Sequence, residues 1–252
     1  MTDMPAPTTR PSGRPNLRSW TLEVVESFNV EPSMRRVVFT ARDITELGES
    51  YKPGQALVLF LPLGDGASGR RDYTIRGYDS AKGQISIDFF LHGDTPAPVW
   101  ASNVKSGETI EAKGPRGNCW LREGADWHLM TGDETCLPAI AHILETAPVS
   151  AKFHVFVETA DKSGEIDLPS KASANIRWLH RGTAPRPSEL MADAIAHFEL
   201  PAGNGHAYII GETSNVRRQR QNLVARGMEK SAISSEGYWR PGRIGGHDHV
   251  ED

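Results

Sequence analysis

Through the first half of the chain, apolar and β-branched residues alternate with polar ones in short bursts. SWTLEVVESFNV (Ser19–Val30), MRRVVFTA (Met34–Ala41), QALVLFLP (Gln55–Pro62), RDYTIRGYD (Arg71–Asp79) and GQISIDFFL (Gly83–Leu91) each read as a strand closed off by Gly, Pro, Asp or Ser. GETIEAKGPRGN (Gly107–Asn118) adds a strand and a Gly/Pro turn, and TPAPVWASNV (Thr95–Val104) a short helix whose prolines are tolerated in a first turn. Strands in succession with turn signals between them predict a closed antiparallel barrel.

After Gly124 the rhythm changes. WHLMTG (Trp127–Gly132), AKFHVFVET (Ala151–Thr159), ANIRWLHR (Ala174–Arg181) and HAYIIGE (His206–Glu212) read as strands. Between them lie helical patterns at Glu134–Ala147, at Pro187–Leu200 with Ser188 as a candidate cap, and at Ser214–Gly227 with a terminal glycine. Strands alternating with helices predict a doubly wound parallel sheet. The expected organisation is a disordered Pro-rich tail over 1–17, a barrel over 18–124, an α/β domain over 125–243 and a polar tail over 244–252.

Composition narrows the function. A chain of 252 residues, 38% hydrophobic, suits two cores better than one. A net charge of −4 gives no general case for nucleic-acid binding. Two cysteines are too few for a disulfide framework and lack zinc-type spacing. The nine histidines are scattered, with HDH (His247–His249) in the polar tail, so no metal site is expected. Without an apolar leader or a spanning run, the expectation is a cytoplasmic protein that does not enter a membrane.

Three stretches carry candidate chemistry. RRDYTIR (Arg70–Arg76) crowds guanidiniums, a phenol and a hydroxyl into one strand. MTGDETCLPAI (Met130–Ile140) runs from a strand end into a helix whose free N–H groups suit a polar ligand. It also fits an ordinary turn in which Asp133 and Glu134 offset the helix dipole. IIGETSNVRRQR (Ile209–Arg220) offers Gly211 for close backbone approach, Ser214 as a cap, and Arg217, Arg218 and Arg220 on the first turns. Cations there oppose the helix dipole, which fits an anionic ligand or a solvated basic face.

RRDYTIR, LHGDTPAPVWA (Leu91–Ala101), GPRG (Gly114–Gly117), GDETCLPAI, WLHR (Trp178–Arg181), GETSNVRRQR and GYWRPG (Gly237–Gly242) occur in the order found in siderophore-interacting proteins. The chain resembles that family over residues 18–242. The family's members are flavin-dependent ferric-siderophore reductases, similar in fold to ferredoxin–NADP reductases. The resemblance implies a six-stranded antiparallel barrel that binds FAD and an α/β domain that receives NAD(P)H.

It also assigns residues. Arg71, Asp72, Tyr73, Thr74 and the Ile75 backbone are implied to cradle the flavin, with Thr74 near its reactive edge. His92, Gly93, Ala97, Trp100 and Ala101 are implied to wrap the pyrophosphate. Asp133, Glu134 and Thr135 would close over the cofactor from the second domain, and Tyr238 and Trp239 would lie near the flavin. Gly211, Glu212, Ser214, Arg217 and Arg218 are implied for NAD(P)H, with the arginines favouring NADPH over NADH through a 2′-phosphate. Lys52, Arg70, Arg240 and Arg243 are the candidate basic contacts for an anionic ferric siderophore. Arg76 falls outside the motif and reads as a barrel-rim charge. Cys136 stands where Ala or Ser is usual and reads as filling a small site.

The expected reaction carries electrons from a nicotinamide through FAD to Fe(III), with no acid–base pair required. Ferredoxin is an alternative donor, and a monomer is expected. The alternatives are a flavin reductase with a non-siderophore acceptor and a siderophore-binding protein without turnover.

Overall fold

The computed structural model describes residues 17–64, 67–184, 186–243 and 248–250. Apart from Leu17, the expected N-terminal tail lies outside the described residues, as does His247. The barrel comprises β1 (Ser19–Glu31), β2 (Met34–Thr40), β3 (Ala56–Gly64), β4 (Ala67–Asp79), β5 (Gln84–Phe90) and β6 (Thr109–Arg116). One helical turn, α1 (Leu47–Ser50), follows β2, and α2 (Pro96–Asn103) links β5 to β6. The strands close in the order β1-β2-β5-β4-β3-β6, every pair antiparallel. Alternation explains the closure. Trp20, Leu22 and Val24 of β1, Val37 and Phe39 of β2, and Ile85, Ile87 and Phe89 of β5 all point into one core.

The second domain holds β7 (Trp127–Asp133), α3 (Leu137–Thr146), β8 (Lys152–Thr159), β9 (Ser173–His180), α4 (Leu190–His197), β10 (Gly205–Glu212), α5 (Thr213–Ala225) and β11 (Ile233–Trp239). Its sheet order is β12-β11-β10-β7-β8-β9, where β12 (Asp248–His249) pairs antiparallel with β11 and the other pairs are parallel. The expected tail thus contributes a short edge strand, and Val250 behind it is buried. The central strands β7 and β10 are buried along nearly their whole length because helices cover both faces. Met130, Val155 and Ile210 pack with α3, whereas Leu129, Phe156 and Ile209 pack with α4 and α5.

Helix starts depart from the sequence reading. A 3-10 turn over Glu134–Cys136 precedes α3, and α4 begins at Leu190, with Ser188 accepting the Leu190 N–H at 3.3 Å. No helix covers the β8–β9 crossover; a 3-10 turn at Lys162–Gly164 and an extended segment carry Leu168 and Ala172 into the core beside α3. Among the described residues, no helix is long and apolar enough to cross a membrane.

The domains meet where α3 lies against β4. Arg76 is the bulged residue between the pairs Ile75–Ile87 and Gly77–Ser86. Its side chain leaves the barrel and grips Glu145 of α3 through two hydrogen bonds of 2.6 Å and 2.5 Å. The rim charge of the sequence reading is therefore an inter-domain bridge.

Candidate functional site

A cleft of about 210 Å³ opens between the barrel and the α/β domain. β4 supplies Arg71, Asp72, Tyr73 and Thr74 to its wall; α3 and the turn before it supply Thr135 and Pro138. His92, Ala97, Tyr238, Trp239 and Arg243 complete the predicted residues gathered there. Asp88, Phe90, Thr95 and Pro138 also line it and were not foreseen. Thr95 had a signal in the sequence, since it directly precedes a Pro-initiated helix; Asp88 is placed by register alone.

Tyr73 packs against Phe89 with ring centroids 4.3 Å apart, and burial pushes its phenol above the ordinary range. The Tyr238 phenol is driven well above its usual value, chiefly by burial, with a hydrogen bond to Thr74 opposing the shift. Burial lowers the His92 pKa, and Arg186 adds to the effect. Both phenols are neutral at pH 7. Trp239 is held by its indole N–H, which donates to Asp133 Oδ2 at 2.6 Å.

The cleft's donor set suits an anionic, aromatic, dinucleotide-like group. Arg71 and Arg243 offer guanidiniums for phosphate, while Tyr73, Phe90 and Trp239 offer flat faces. The first turn of α2 contains no acidic residue and no side-chain cap, so nothing in that turn offsets its positive end. FAD fits these residues.

Several predicted residues lie elsewhere. Ile75 is fully buried; its N–H donates to the Gln55 carbonyl at 2.9 Å, and its carbonyl accepts from His142 at 2.7 Å, leaving no backbone group for a flavin. Ala101 is buried in the barrel, and Trp100 packs on Phe39 and Phe89 at 6.3 Å and 5.6 Å. Gly93, at a positive φ of 57°, shapes the turn after β5 without lining the cleft. Asp133 accepts the Thr135 N–H at 2.9 Å and is committed to that turn and to Trp239. Glu134 turns into the α/β domain, where it meets Arg181 at 2.6 Å, Arg186 at 2.7 Å and the Ala160 N–H at 3.0 Å. Its partners are distant in sequence, which hid this role.

A second, smaller cavity, of about 30 Å³, sits at the carboxyl ends of β7 and β10 and shares Trp239 with the cleft. Gly211 and Glu212 line it. Glu212, rather than Ser214, caps α5: its carboxylate accepts the Asn215 N–H at 2.9 Å and the Ser214 hydroxyl at 2.5 Å. That carboxylate opposes any phosphate at this helix end. Arg218 is ion-paired to Glu189, and Arg220 is buried with Nη1 donating to the Ile233 carbonyl at 3.2 Å. Arg217 is exposed.

The basic residues split into groups. Lys52 sits 5.2 Å over the Trp120 ring, whose centroid also lies 4.0 Å from the Arg122 guanidinium, a pairing the sequence did not reveal. Arg70 is exposed on the barrel near Phe60, 6.0 Å from its ring, and is not in the cleft. Arg243 meets Asp248 at 2.7 Å, and Arg240 lies 3.8 Å from the same carboxylate.

Family models match both halves of this architecture: "Siderophore-interacting FAD-binding domain" over residues 64–119 and "Siderophore-interacting protein" over residues 125–242. The chain is 31% identical over 244 residues to the ferric vibriobactin reductase ViuB of Vibrio cholerae, covering 88% of this chain and 89% of that protein. It is 28% identical over 173 residues to the NADPH-dependent ferric-chelate reductase of Escherichia coli, covering 67% of this chain and 65% of that protein. The crystal structure of a siderophore utilization protein from T. fusca superposes with a TM-score of 0.81 at 31% identity, covering 92% of this chain and 96% of that one. With both domains matched along nearly the whole length, the chain belongs to the siderophore-interacting protein family.

Proposed function

We infer that this protein is a flavin-dependent ferric-siderophore reductase, taking electrons from NADPH and delivering them to Fe(III) held by a siderophore. The observation that carries the reading is the inter-domain cleft, where Arg71, Tyr73 and Thr74 face Thr135, Tyr238 and Trp239 in a chain whose barrel matches a siderophore-interacting FAD-binding domain. The relatives named as reductases of ferric vibriobactin and of ferric chelates support the reaction class, and one of them is named for NADPH.

FAD would be held by Arg71 at its phosphates and by Tyr73, Thr74 and Tyr238 beside its ring system. It would accept two electrons as hydride and release them singly, which suits a one-electron metal acceptor. The protein's own residues bind, orient and exclude water. Tyr73, Tyr238 and Trp239 wall the cleft, while neutral phenols avoid placing negative charge beside a reduced ring. Arg243 supplies positive charge in the cleft, and Arg240 shares its Asp248 partner, so an anionic chelate would approach from that side. We assign the reaction to the cytoplasm and to a monomer, with reduced ferredoxin as the second candidate donor.

The test is anaerobic. Protein reconstituted with FAD is bleached with NADPH, then mixed with ferric siderophores in the presence of an Fe(II) trap. Rapid flavin reoxidation with trapped Fe(II) is the expected result. Bleaching without reoxidation by any ferric chelate would leave a flavin reductase with another acceptor; failure to bind FAD would remove the reductase reading altogether.

A further inference from the structure

The Ile75 N–H donates to the Gln55 carbonyl at 2.9 Å, but the Gln55 N–H does not return the bond and turns to the Lys52 carbonyl at 3.0 Å. The Ile75 carbonyl is met from the other domain: His142 of α3, 5% exposed, places Nδ1 at 2.7 Å from it. The Tyr51 hydroxyl lies 2.7 Å and 2.9 Å from the two ring nitrogens. One tautomer satisfies these groups: Nδ1–H donates to Ile75, and Nε2 accepts from the Tyr51 hydroxyl. Burial lowers the His142 pKa and keeps this neutral form.

The next residue along β4 is gripped too. Arg76 donates to both carboxylate oxygens of Glu145, one turn further along α3, and its Nε lies 3.8 Å from Asp88. Two successive residues of β4 are therefore fastened to one helix. Thr74, directly before them, and Tyr73 form one wall of the cleft; Thr135 and Pro138, at the start of the same helix, form the facing wall.

We propose that His142 and the Arg76–Glu145 pair are positioning residues, a two-point clamp by which α3 fixes the spacing between the cleft wall at Tyr73–Thr74 and the wall at Thr135–Pro138. The residues do not contact the reacting atoms; they act through the Ile75 peptide and the Arg76 bulge. This inference rests on the flavin reading of the cleft given above. A bulge that re-aims a side chain beside an active site is a recurrent device, and small misplacements of reacting groups carry large rate penalties.

The experiment compares wild type with His142→Phe, His142→Asn and Glu145→Ala in two measurements. Hydrogen exchange on the apo protein is expected to quicken across residues 71–77 in His142→Phe and Glu145→Ala while β1 and β2 keep wild-type protection. In the FAD-loaded protein, His142→Phe should lower kcat by about tenfold or more with KM for the ferric chelate held within about twofold. His142→Asn, whose amide N–H can replace Nδ1–H, should recover most of both. Wild-type exchange at 71–77 together with wild-type kcat in His142→Phe overturns the clamp. If that variant does not fold, the half-exposed Glu145→Ala decides by the same two readouts. Should wild type itself fail to take up FAD, the reductase reading falls and the exchange comparison alone judges the clamp.

Discussion

Trp239 at the end of β11 donates its indole N–H to Asp133 at the end of β7, across 2.6 Å, and so closes the cleft on its α/β side. The same carboxylate caps the turn that leads into α3. Asp133→Ala removes both bonds at once. A loss of about 1–3 kcal/mol is expected from the stranded indole and turn N–H groups, with Asp133→Asn retaining part of it. Chemical denaturation measures the loss, and a change in Trp239 fluorescence reports the freed indole; an Asp133→Ala protein as stable as wild type would refute the linkage.

Arg71 offers the cleft a guanidinium from within the motif strand. Arg71→Ala should weaken FAD binding by about 10- to 100-fold, the scale of a hydrogen-bonded charge pair, and Arg71→Lys should restore it only in part because the planar fork is lost. Titration followed by flavin fluorescence checks this. An unchanged dissociation constant for Arg71→Ala removes the phosphate role.

The arginines after Ser214 are not equivalent. Arg218 is paired with Glu189, and Arg220 is buried, which leaves Arg217 as the exposed candidate for a 2′-phosphate. Arg217→Ala should raise KM for NADPH several-fold and leave KM for NADH unchanged, whereas Arg218→Ala should change either by less than about a factor of five, as for an exposed ion pair. Equal effects on the two nucleotides in Arg217→Ala would exclude the 2′-phosphate contact.

His206 is held in the sheet with its Nε2 3.0 Å from the Ser234 hydroxyl, and burial, with the nearby Arg122 and His128, lowers its pKa to about 4. The unfolded chain binds this proton near 6.5, so between about pH 6.5 and 4 it holds more protons than the native state. Stability is therefore fully present above the unfolded value and is lost as pH falls through that window. His128 and His142, also lowered by burial, act in the same direction. His206→Asn should flatten the fall in denaturation midpoint below pH 6.5; an unaltered slope would show that His206 does not drive it.

Local pattern was enough to read the barrel strands and the alternating α/β half, but the cluster Arg71–Thr74, read at the start of a strand, lies in the middle of β4. Alternation is a property of neighbours, and neighbours are what a chain displays. What escaped depends on partners remote in sequence. Glu134 was read towards a cofactor, yet Arg181 and Arg186 draw it into the domain. Ser214 has the residue type of a cap, but Glu212 reaches the same N–H groups first. Arg76 had no visible purpose until α3 folded across β4 and brought Glu145 to it. The Ile75 backbone shows the same limit: the motif marks the strand, whereas the loop at Lys52–Gln55 decides which of its groups stay free.

The short edge strand has a consequence for what the protein accepts. Asp248 is held below the ordinary carboxylate range: burial alone would raise it, but the Thr213 hydroxyl and the fields of Arg240 and Arg243 outweigh that cost. Asp248 is thus a built-in counter-ion for Arg243 of the cleft and for Arg240. On the proposed reading, an anionic chelate that met those guanidiniums would have to displace a tethered carboxylate, whereas a neutral one would gain nothing by doing so, and the last strand would then grade chelates by charge.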